Sequence, residues 1–313
     1  MRSYSLVAPA KINLYLQIVG DRPDGFHELI MVLQSIDLAD TVIVRPISVE
    51  GIRVRCDNAA VPQDQTNLAY GAAELMMQRF SEVYARFGGV EIELQKRIPM
   101  GAGLAGGSTD AAAVLVGINL MWQLGLTHAE LEDLGATLGS DVPFCISGGT
   151  AIATGRGEKL APLPHLDNGY VVLAKYRDLP VSTPWAYKTY RQRFGASYPL
   201  TSEDIDAQKH KSRDILNAIV RHDLGKISQL LHNDLERVVL PEHPKIQHLR
   251  DRFQTLDVLG TMMSGSGSTV FAIVASHAQA QTVRAEMQSA IADPDLDFWI
   301  TKFNASGVRF SAN

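Results

Sequence analysis

Cysteine and positive charge are both scarce in this chain of 313 residues. Its two cysteines, Cys56 and Cys145, are too few for a disulfide framework and are not spaced as a metal-binding knuckle. We therefore expect inert core thiols in a protein of a reducing compartment. Lys and Arg total 29 against 34 Asp and Glu, a net charge of -5. This sign excludes binding to nucleic acid or anionic lipid through overall charge, so an anionic ligand would need a local site.

The chain also lacks a long hydrophobic run. The longest apolar stretch, from Ala111 to Leu126, is interrupted by Asn119 and Gln123 and is shorter than the roughly 20 residues of a spanning helix. Lys11 and Asn13 split the segment where a signal peptide would be continuously apolar. We predict a cytoplasmic protein with no membrane partner. The 46% hydrophobic and 20% charged residues are typical of a globular protein and exclude general disorder.

Residue patterns predict α+β structure in two domains. Alternation from Ile12 to Ile18 predicts a half-buried strand whose polar face begins at Lys11. Apolar residues at three- and four-residue steps predict a helix from Asn67 to Phe87, with Thr66 or Asn67 as its N-cap. The Pro-rich stretch near residue 163 is the expected boundary between domains 1–163 and 164–313. Further predicted helices lie around 127–139, 183–194, 212–238, 243–256 and 277–292.

A glycine-rich segment lies between a predicted strand and a helix expected to begin near Ser108. Its small side chains allow backbone N–H groups to approach phosphate oxygens, and the helix N-terminus adds unpaired donors. We interpret it as a phosphate cradle, although its glycine content fits a tight connection equally well. The segment consists of Pro99, Met100, Gly101, Ala102, Gly103, Leu104, Ala105, Gly106, Gly107, Ser108 and Thr109.

The familiar nucleotide-binding motifs do not account for this segment. Gly101, Gly103 and Gly106 match G-x-G-x-x-G, but no second strand ends in an acidic residue about 20 positions further on, as a dinucleotide fold requires. The chain has no G-K-[ST] sequence of a Walker loop and no H-R-D or D-F-G sequence of a protein kinase. Another class of phosphate-binding protein is indicated.

Several separated motifs resemble one family of small-molecule kinases in sequence and order. From residue 7 to about residue 307, the chain resembles the galactokinase, homoserine kinase, mevalonate kinase and phosphomevalonate kinase superfamily. The resemblance implies an N-terminal ATP-binding domain similar to ribosomal protein S5 domain 2 and a C-terminal ferredoxin-like substrate-binding domain. Besides the glycine segment, the motifs are Pro9-Ala10-Lys11-Ile12-Asn13-Leu14, Gly25-Phe26-His27-Glu28-Leu29, Gly139-Ser140-Asp141-Val142-Pro143-Phe144 and Gly265-Ser266-Gly267-Ser268.

The match within the superfamily is to members that act on a cytidine diphosphate-linked methylerythritol. It implies transfer of the γ-phosphoryl group of ATP, with Mg²⁺, to the 2-hydroxyl of this small molecule, a step of the non-mevalonate isoprenoid pathway. Asp141 would then be the general base, and Lys11 the cation that keeps Asp141 ionised and lowers the pKa of the hydroxyl. The alternative is a structural salt bridge. The presence of both motifs favours the catalytic role.

The resemblance also implies residues that bind the cytosine. His27 is expected to hydrogen-bond the base, while Phe26 and a second aromatic side chain stack on its two faces. The second aromatic is Tyr187 or Trp185, and Tyr187 matches the family better. A His in a turn is otherwise most often an ordinary surface residue.

Other implied contacts lie near the diphosphate and the metal. Asn13 shares the polar face of Lys11 and is a further candidate for the substrate, with a solvated strand face as the ordinary alternative. A turn of three residues is expected to turn its backbone amides toward the diphosphate; these residues are Gly265, Ser266 and Gly267. The hydroxyl of Ser108 or Thr109 is expected to reach Mg²⁺. No acidic metal ligand is evident from spacing, so the metal ligands are not assigned.

Two positions depart from the family pattern. Ala105 stands where Gly is common, and Thr109 where Ser is common. The first change keeps the loop narrow and the second keeps a hydroxyl, but the two put the conformation of the loop in question. Two other functions stay open: another kinase of the superfamily, acting on mevalonate or homoserine, and a catalytically silent nucleotide sensor. Retention of Lys11 and Asp141 argues against the sensor.

Overall fold

The computed structural model describes residues 2–198 and 212–311, which form two β-sheets covered by helices. The strands are β1 (Tyr4–Asp21), β2 (His27–Ile47), β3 (Ile52–Cys56), β4 (Gly89–Gln95), β5 (Thr150–Gly155), β6 (Lys159–Pro162), β7 (Tyr170–Tyr176), β8 (His232–Asn233), β9 (Gly260–Met263), β10 (Val270–Val274), β11 (Leu296–Lys302) and β12 (Arg309–Phe310). The helices are α1 (Leu68–Arg79), α2 (Ser81–Phe87), α3 (Gly106–Met121), α4 (His128–Leu138), α5 (Val142–Ser147), α6 (Thr183–Phe194), α7 (Arg213–Val220), α8 (Leu224–Gln229), α9 (Glu236–Glu242), α10 (Pro244–Gln254) and α11 (His277–Ala290).

The first sheet is organised around the long antiparallel pair of β1 and β2. Its order is β12-β1-β2-β4-β3, with β5 also on β2, β6 on β5 and β8 on β1. The pairing runs from Tyr4 opposite Val44 to Asp21 opposite His27. The chain crosses through α1 and α2 between the parallel strands β3 and β4. On the side away from β2, β1 pairs with β12 at Leu6 and Val7 and with β8 at Tyr15 and Leu16, so Lys11 lies between these two short pairings.

Helix α3 packs on this sheet through small residues. An added Cβ at Gly117 would lie 2.7 Å from Cγ2 of Val44 and 3.0 Å from Cδ1 of Leu6. Glycine therefore permits a close approach of the helix axis to β1 and β2. The helix runs from the glycine segment into this core, so its packing holds the segment in place.

The second sheet has the ferredoxin-like arrangement. All neighbouring strands are antiparallel in the order β11-β7-β10-β9. Along the chain, β7, α10, β9, β10, α11 and β11 give the order β-α-β-β-α-β, with α6 to α9 and β8 inserted between β7 and α10. The buried side chains of Phe253 and Phe271 contribute to the core around it. The predicted α+β fold class is confirmed. Strands β8 and β12, from the second half of the sequence, both pair with β1, and the boundary near residue 163 stays a prediction.

Some local predictions hold and others are wrong. Asn67 is the N-cap of α1, and Thr127 with Glu130 forms the expected capping box of α4. The helix predicted from residue 67 to 87 is instead broken at Phe80. The helix predicted over 212–238 is instead α7, α8, β8 and the start of α9, because Asn233 joins the edge of β1.

The two cysteines differ in environment. Cys145 is buried, as expected, but Cys56 ends the edge strand β3 and is partly exposed. Burial raises the pKa of both thiols. In the described parts of the chain, no helix is long and apolar enough to cross a membrane.

The packing of α3 generates a test with two glycines. Gly117→Ala should destabilise the protein by about 1–3 kcal/mol, because the added methyl group overpacks Val44 and Leu6. Gly71→Ala, in α1, should stabilise it by about 0.5–1 kcal/mol, because the nearest atom to the new Cβ is 3.8 Å away and alanine favours the helix. Urea unfolding measures the change in the free energy of unfolding of each variant. A change of the same sign in both variants would contradict the packing argument.

Candidate active site

A cleft of about 760 Å³ is lined by residues of β1 and β2 and by segments from the second half of the sequence. The glycine segment forms one wall, and the Gly265 turn forms another. At the far end are the turn between β1 and β2 and the first half of α6. Residues from both halves of the sequence therefore face one cleft.

The glycine segment has the backbone of an anion cradle. Gly101 and Gly103 have φ of 56° and 72°, and Ala105, just before α3, has φ of 60°. Alanine rarely adopts this left-handed conformation, so Ala105 keeps the shape that glycine would favour. No side chain caps α3, and no acidic residue lies in its first turn. The N–H groups at its N-terminus are thus available to an anion.

The cradle is braced by direct contact with the loop after β9. An added Cβ at Gly103 would lie 2.0 Å from the carbonyl oxygen of Ser264, so only glycine fits. The Ser264 hydroxyl donates to the Gly103 carbonyl at 3.1 Å. On the other side, the Lys11 N–H donates to the Leu104 carbonyl at 3.2 Å. The cradle is therefore attached to both sheets.

Lys11 and Asp141 meet in the cleft. Lys11 is 4% exposed, and its Nζ donates to Oδ1 of Asn13 at 2.8 Å and lies 3.6 Å from Oδ2 of Asp141. Asp141 is the residue before α5, whereas Lys11 and Asn13 project from β1. An added Cβ at Gly265 would lie 3.5 Å from Nζ of Lys11. A lysine and a carboxylate thus stand together where the Gly265 turn faces the cradle.

Aromatic side chains form the far end of the cleft. The rings of His27 and Tyr187 are 5.1 Å apart, and Phe26 is 48% exposed beside them. Burial, and then the charge of Arg191, lower the pKa of His27. Arg191 donates to Oδ1 of Asp21 at 2.8 Å and also to the Gly25 carbonyl, which fixes the turn that carries His27. Both effects favour the neutral imidazole and outweigh the Asp21 carboxylate, which acts to raise this pKa.

Tyr187 and Trp185 are distinguished by their positions. Tyr187 lines the cleft. Trp185 does not, and its ring meets that of His243 edge-on at 5.4 Å. Helical geometry separates the two side chains, because residues two apart project from different faces. The geometry favours Tyr187 over Trp185 as the aromatic that faces a ligand.

Most of the residues singled out from the sequence line this cleft. Thr109 is fully buried beneath the cradle, and Gly267 packs against Sδ of Met263, so neither lines it. Those that do are Lys11, Asn13, Phe26, His27, Pro99, Met100, Gly101, Ala102, Gly103, Leu104, Ala105, Gly106, Gly107, Ser108, Asp141, Tyr187, Gly265 and Ser266.

Sequence analysis missed a second buried lysine at the cradle. Nζ of Lys96 lies 2.5 Å from Oδ2 of Asp110 and also bonds Asp40. Burial raises the pKa of Asp110, against the attraction of Lys96. Burial alone would lower the pKa of Lys96, but the two carboxylates outweigh it and raise that pKa. Asp40 lies on β2, Lys96 just after β4, and Asp110 on α3, so no local sequence motif connects the three residues.

Two family models match separate parts of the chain. The GHMP kinases N terminal domain matches residues 67–149, and the GHMP kinases C terminal domain matches residues 215–293. A solved homoserine kinase from Cytophaga hutchinsonii has a TM-score of 0.76 at 20% identity, covering 99% of this chain and 97% of that one. The similarity to this homoserine kinase supports the fold alone.

More similar proteins carry a narrower name. The 4-diphosphocytidyl-2-C-methyl-D-erythritol kinase of Trichodesmium erythraeum is 62% identical, over 99% of this chain and 100% of that protein. The protein of the same name from Nostoc punctiforme is 60% identical over the full length of both. A crystal structure of 4-(cytidine 5'-diphospho)-2C-methyl-D-erythritol kinase matches with a TM-score of 0.73 at 32% identity, covering 96% of this chain and 99% of that one. The chain therefore belongs to the GHMP kinases and, among them, to the family of the 4-diphosphocytidyl-2-C-methyl-D-erythritol kinases.

Proposed function

We propose that this protein transfers the γ-phosphoryl group of ATP to the 2-hydroxyl of 4-diphosphocytidyl-2-C-methyl-D-erythritol, the compound in its relatives' names. The observation that carries the proposal is the Lys11–Asp141 pair, which lies between an uncapped anion cradle and an aromatic end in one cleft. The step belongs to the non-mevalonate isoprenoid pathway. The domain of residues 1–163 would supply the ATP cradle, and residues 164–313 most of the remaining substrate contacts. The scarcity of cysteine is consistent with a cytoplasmic enzyme.

The cradle fits a nucleotide triphosphate with its metal ion. The N–H groups at the start of α3 would bind phosphate oxygens, and the Ser108 hydroxyl lines the same wall. Among the described residues, no three His, Cys, Asp or Glu side chains are grouped to hold a metal. Mg²⁺ would therefore be held chiefly by the phosphates, with Ser108 as the protein candidate, and when bound would neutralise their charge.

Asp141 would accept the proton of the attacking hydroxyl, a role supported by its position in the cleft 3.6 Å from Nζ of Lys11. As the new bond forms between the hydroxyl oxygen and the γ-phosphorus, the bond to the β-phosphate oxygen breaks and ADP leaves. Lys11 stabilises the developing negative charge, because a buried ammonium acts strongly on charges within a few ångströms. Asn13 holds Nζ of Lys11 in position. Charge stabilisation and positioning are the main requirements of phosphoryl transfer.

The aromatic end suits a cytosine ring. The ring nitrogen of a neutral imidazole that faces the cleft is either a donor or an acceptor, and cytosine can meet it with its ring nitrogen or its amino group. His27 is held neutral by burial and Arg191. Phe26 and Tyr187 line the cleft beside His27 and provide surfaces for stacking. These side chains distinguish the proposed substrate from mevalonate or homoserine, which carry no base.

A panel of alcohols tests the proposal. Purified protein with ATP and Mg²⁺ should form a phosphorylated product, detected by mass, from 4-diphosphocytidyl-2-C-methyl-D-erythritol and not from mevalonate or homoserine. Product from another alcohol would discard the cytosine assignment. Binding of ATP with no product from any alcohol would favour the silent sensor.

Asp141→Asn is the matched control for this assay. The amide keeps the shape of the carboxylate but cannot accept the proton, so turnover should fall about 10²- to 10⁴-fold, the range typical of a lost general base. ATP affinity, measured by calorimetry, should be retained. Turnover near that of the wild type would remove the role of Asp141 as the base.

Replacing the two aromatics of α6 tests the stacking. Tyr187→Ala should raise the KM of the cytidine substrate more than it lowers kcat, because stacking on the base is remote from the transferred group. Trp185→Ala should leave that KM near the wild-type value, since Trp185 contacts His243 outside the cleft. Steady-state kinetics of both variants decide the matter, and the opposite pattern would assign the stacking to Trp185.

The protonation of His27 can be followed by NMR. Its pKa should lie below the ordinary value of 6.5, so the ring stays neutral at neutral pH and gains its proton only as the pH falls through the lowered pKa. Arg191→Gln should raise the midpoint by removing a neighbouring positive charge, and Asp21→Asn should lower it by removing a negative one. A midpoint at or above 6.5 in the wild type would contradict the neutral imidazole.

A further inference from the structure

The turn between β8 and α9, residues 234 and 235, links β1, the strand of Lys11, to the Gly265 turn, which faces the cradle. Strand β8 runs parallel to β1, with Leu16 opposite Asn233. The Asp234 N–H donates to the Leu16 carbonyl at 2.9 Å, and Oδ2 of Asp234 accepts from the Ile18 N–H at 2.8 Å. Asp234 therefore fastens this turn to β1, a few residues beyond Asn13.

Asn233, the last residue of β8, connects this turn to the Gly265 turn. Its Nδ2 donates to the carbonyl oxygens of Met263 and Gly265, both at 2.8 Å. Its Oδ1 accepts from the Leu235 N–H at 3.0 Å. Asn233 is 5% exposed, and these three bonds use both N–H groups and the oxygen of the amide. A carboxylate of the same shape would have no hydrogen to donate to either carbonyl.

A third residue supports this connection. Oε1 of Glu236 accepts from the Met263 N–H at 2.8 Å. The end of β9 is therefore held at its N–H by Glu236 and at its carbonyl by Asn233. Because Asp234 holds β1, the turn between β8 and α9 sets the distance between β1 and the Gly265 turn.

One of the two carbonyls held by Asn233 is that of Gly265, which packs against Lys11, Asn13 and the cradle. An added Cβ at Gly265 would lie 3.3 Å from Oδ1 of Asn13, 3.5 Å from Nζ of Lys11 and 3.2 Å from the Gly103 carbonyl. Gly265 has φ of 56° and no side chain, so hydrogen bonds must fix its position. A shift of this backbone would change the space around Lys11.

We infer that Asn233 is a positioning residue for phosphoryl transfer. It acts through Gly265, whose backbone it holds against Lys11, Asn13 and the cradle. The inference rests on the proposed function. It extends that function to a side chain outside the residues that line the cleft. Displacement of reacting groups by about 1 Å can lower a rate about 100-fold, so loss of the amide donors should act mainly on kcat.

Asn233→Asp tests this role, with Asn119→Asp as its matched control. Asn119 also holds backbone through its amide, bonding both the N–H and the carbonyl of Leu126. It lies near the opposite end of α3 from the cradle. Asn233→Asp should lower kcat about 10- to 100-fold and change the KM of ATP and of the cytidine substrate less than about threefold. Asn119→Asp should keep kcat within about twofold, although both variants lose thermal stability.

Stability separates positioning from a purely structural role. If folded Asn233→Asp keeps wild-type kcat at a temperature well below its Tm, the inference is overturned. Equal losses of kcat in the two variants would overturn it too. Should Asn233→Asp not fold, Asn233→Ser replaces it. The serine hydroxyl ends one bond short of the amide nitrogen and reaches neither carbonyl, so Asn233→Ser should lower kcat about 10- to 100-fold, and a wild-type kcat would overturn the inference.

Hydrogen exchange separates this inference from the proposed function. Wild-type turnover is measured first, and its absence would count against the function alone. Independently, the amides of residues 264–268 should exchange faster in Asn233→Asp than in the wild type, and at the wild-type rate in Asn119→Asp. Unchanged exchange at these amides in Asn233→Asp would refute the positioning role even in an active enzyme.

Discussion

The cleft depends on a backbone contact that leaves no room for a side chain. Gly103 in the cradle faces the Ser264 carbonyl so closely that a Cβ would lie 2.0 Å from it. Interiors packed to this density do not deform continuously, so the two segments have a fixed separation. The cradle, the strand of Lys11 and the Gly265 turn therefore form one rigid frame. Its parts come from opposite sides of the residue at which the composition places a domain boundary.

The two lysines in the cleft differ in how fully they are paired. Lys96 has two carboxylate partners, and Asp40 and Asp110 leave it only one of its three N–H donors. Lys11 bonds an amide oxygen and stands 3.6 Å from one carboxylate. Lys11 therefore keeps more capacity to bind a phosphate oxygen or an oxyanion. These surroundings are consistent with the proposed roles, in which Lys96 holds the cradle in place and Lys11 takes part in the chemistry.

Local patterns and family motifs predict much of this molecule. Caps such as Asn67 and the Thr127 box depend on neighbours a few residues away, so the sequence shows them directly. The α+β class and the family follow from several separated motifs. Lys96 escapes such analysis, because its partners come from distant segments and only the folded chain brings them together. Local residue patterns predict helix around Asn233, because its pairing with β1 involves residues more than 200 positions away.

The late strands also bear on how this chain folds. Strand β12 places Phe310 opposite Leu6, near the other end of the sequence, and β8 joins the same strand. Contacts between such distant residues close large loops, whose entropy must be lost before the contacts form, and this slows folding. During synthesis, the edge of β1 stays open at Tyr15 and Leu16 until β8 has left the ribosome, and at Leu6 and Val7 until β12 has left it. An open strand edge promotes pairing between chains, so this enzyme would be most exposed to aggregation while it is still being made.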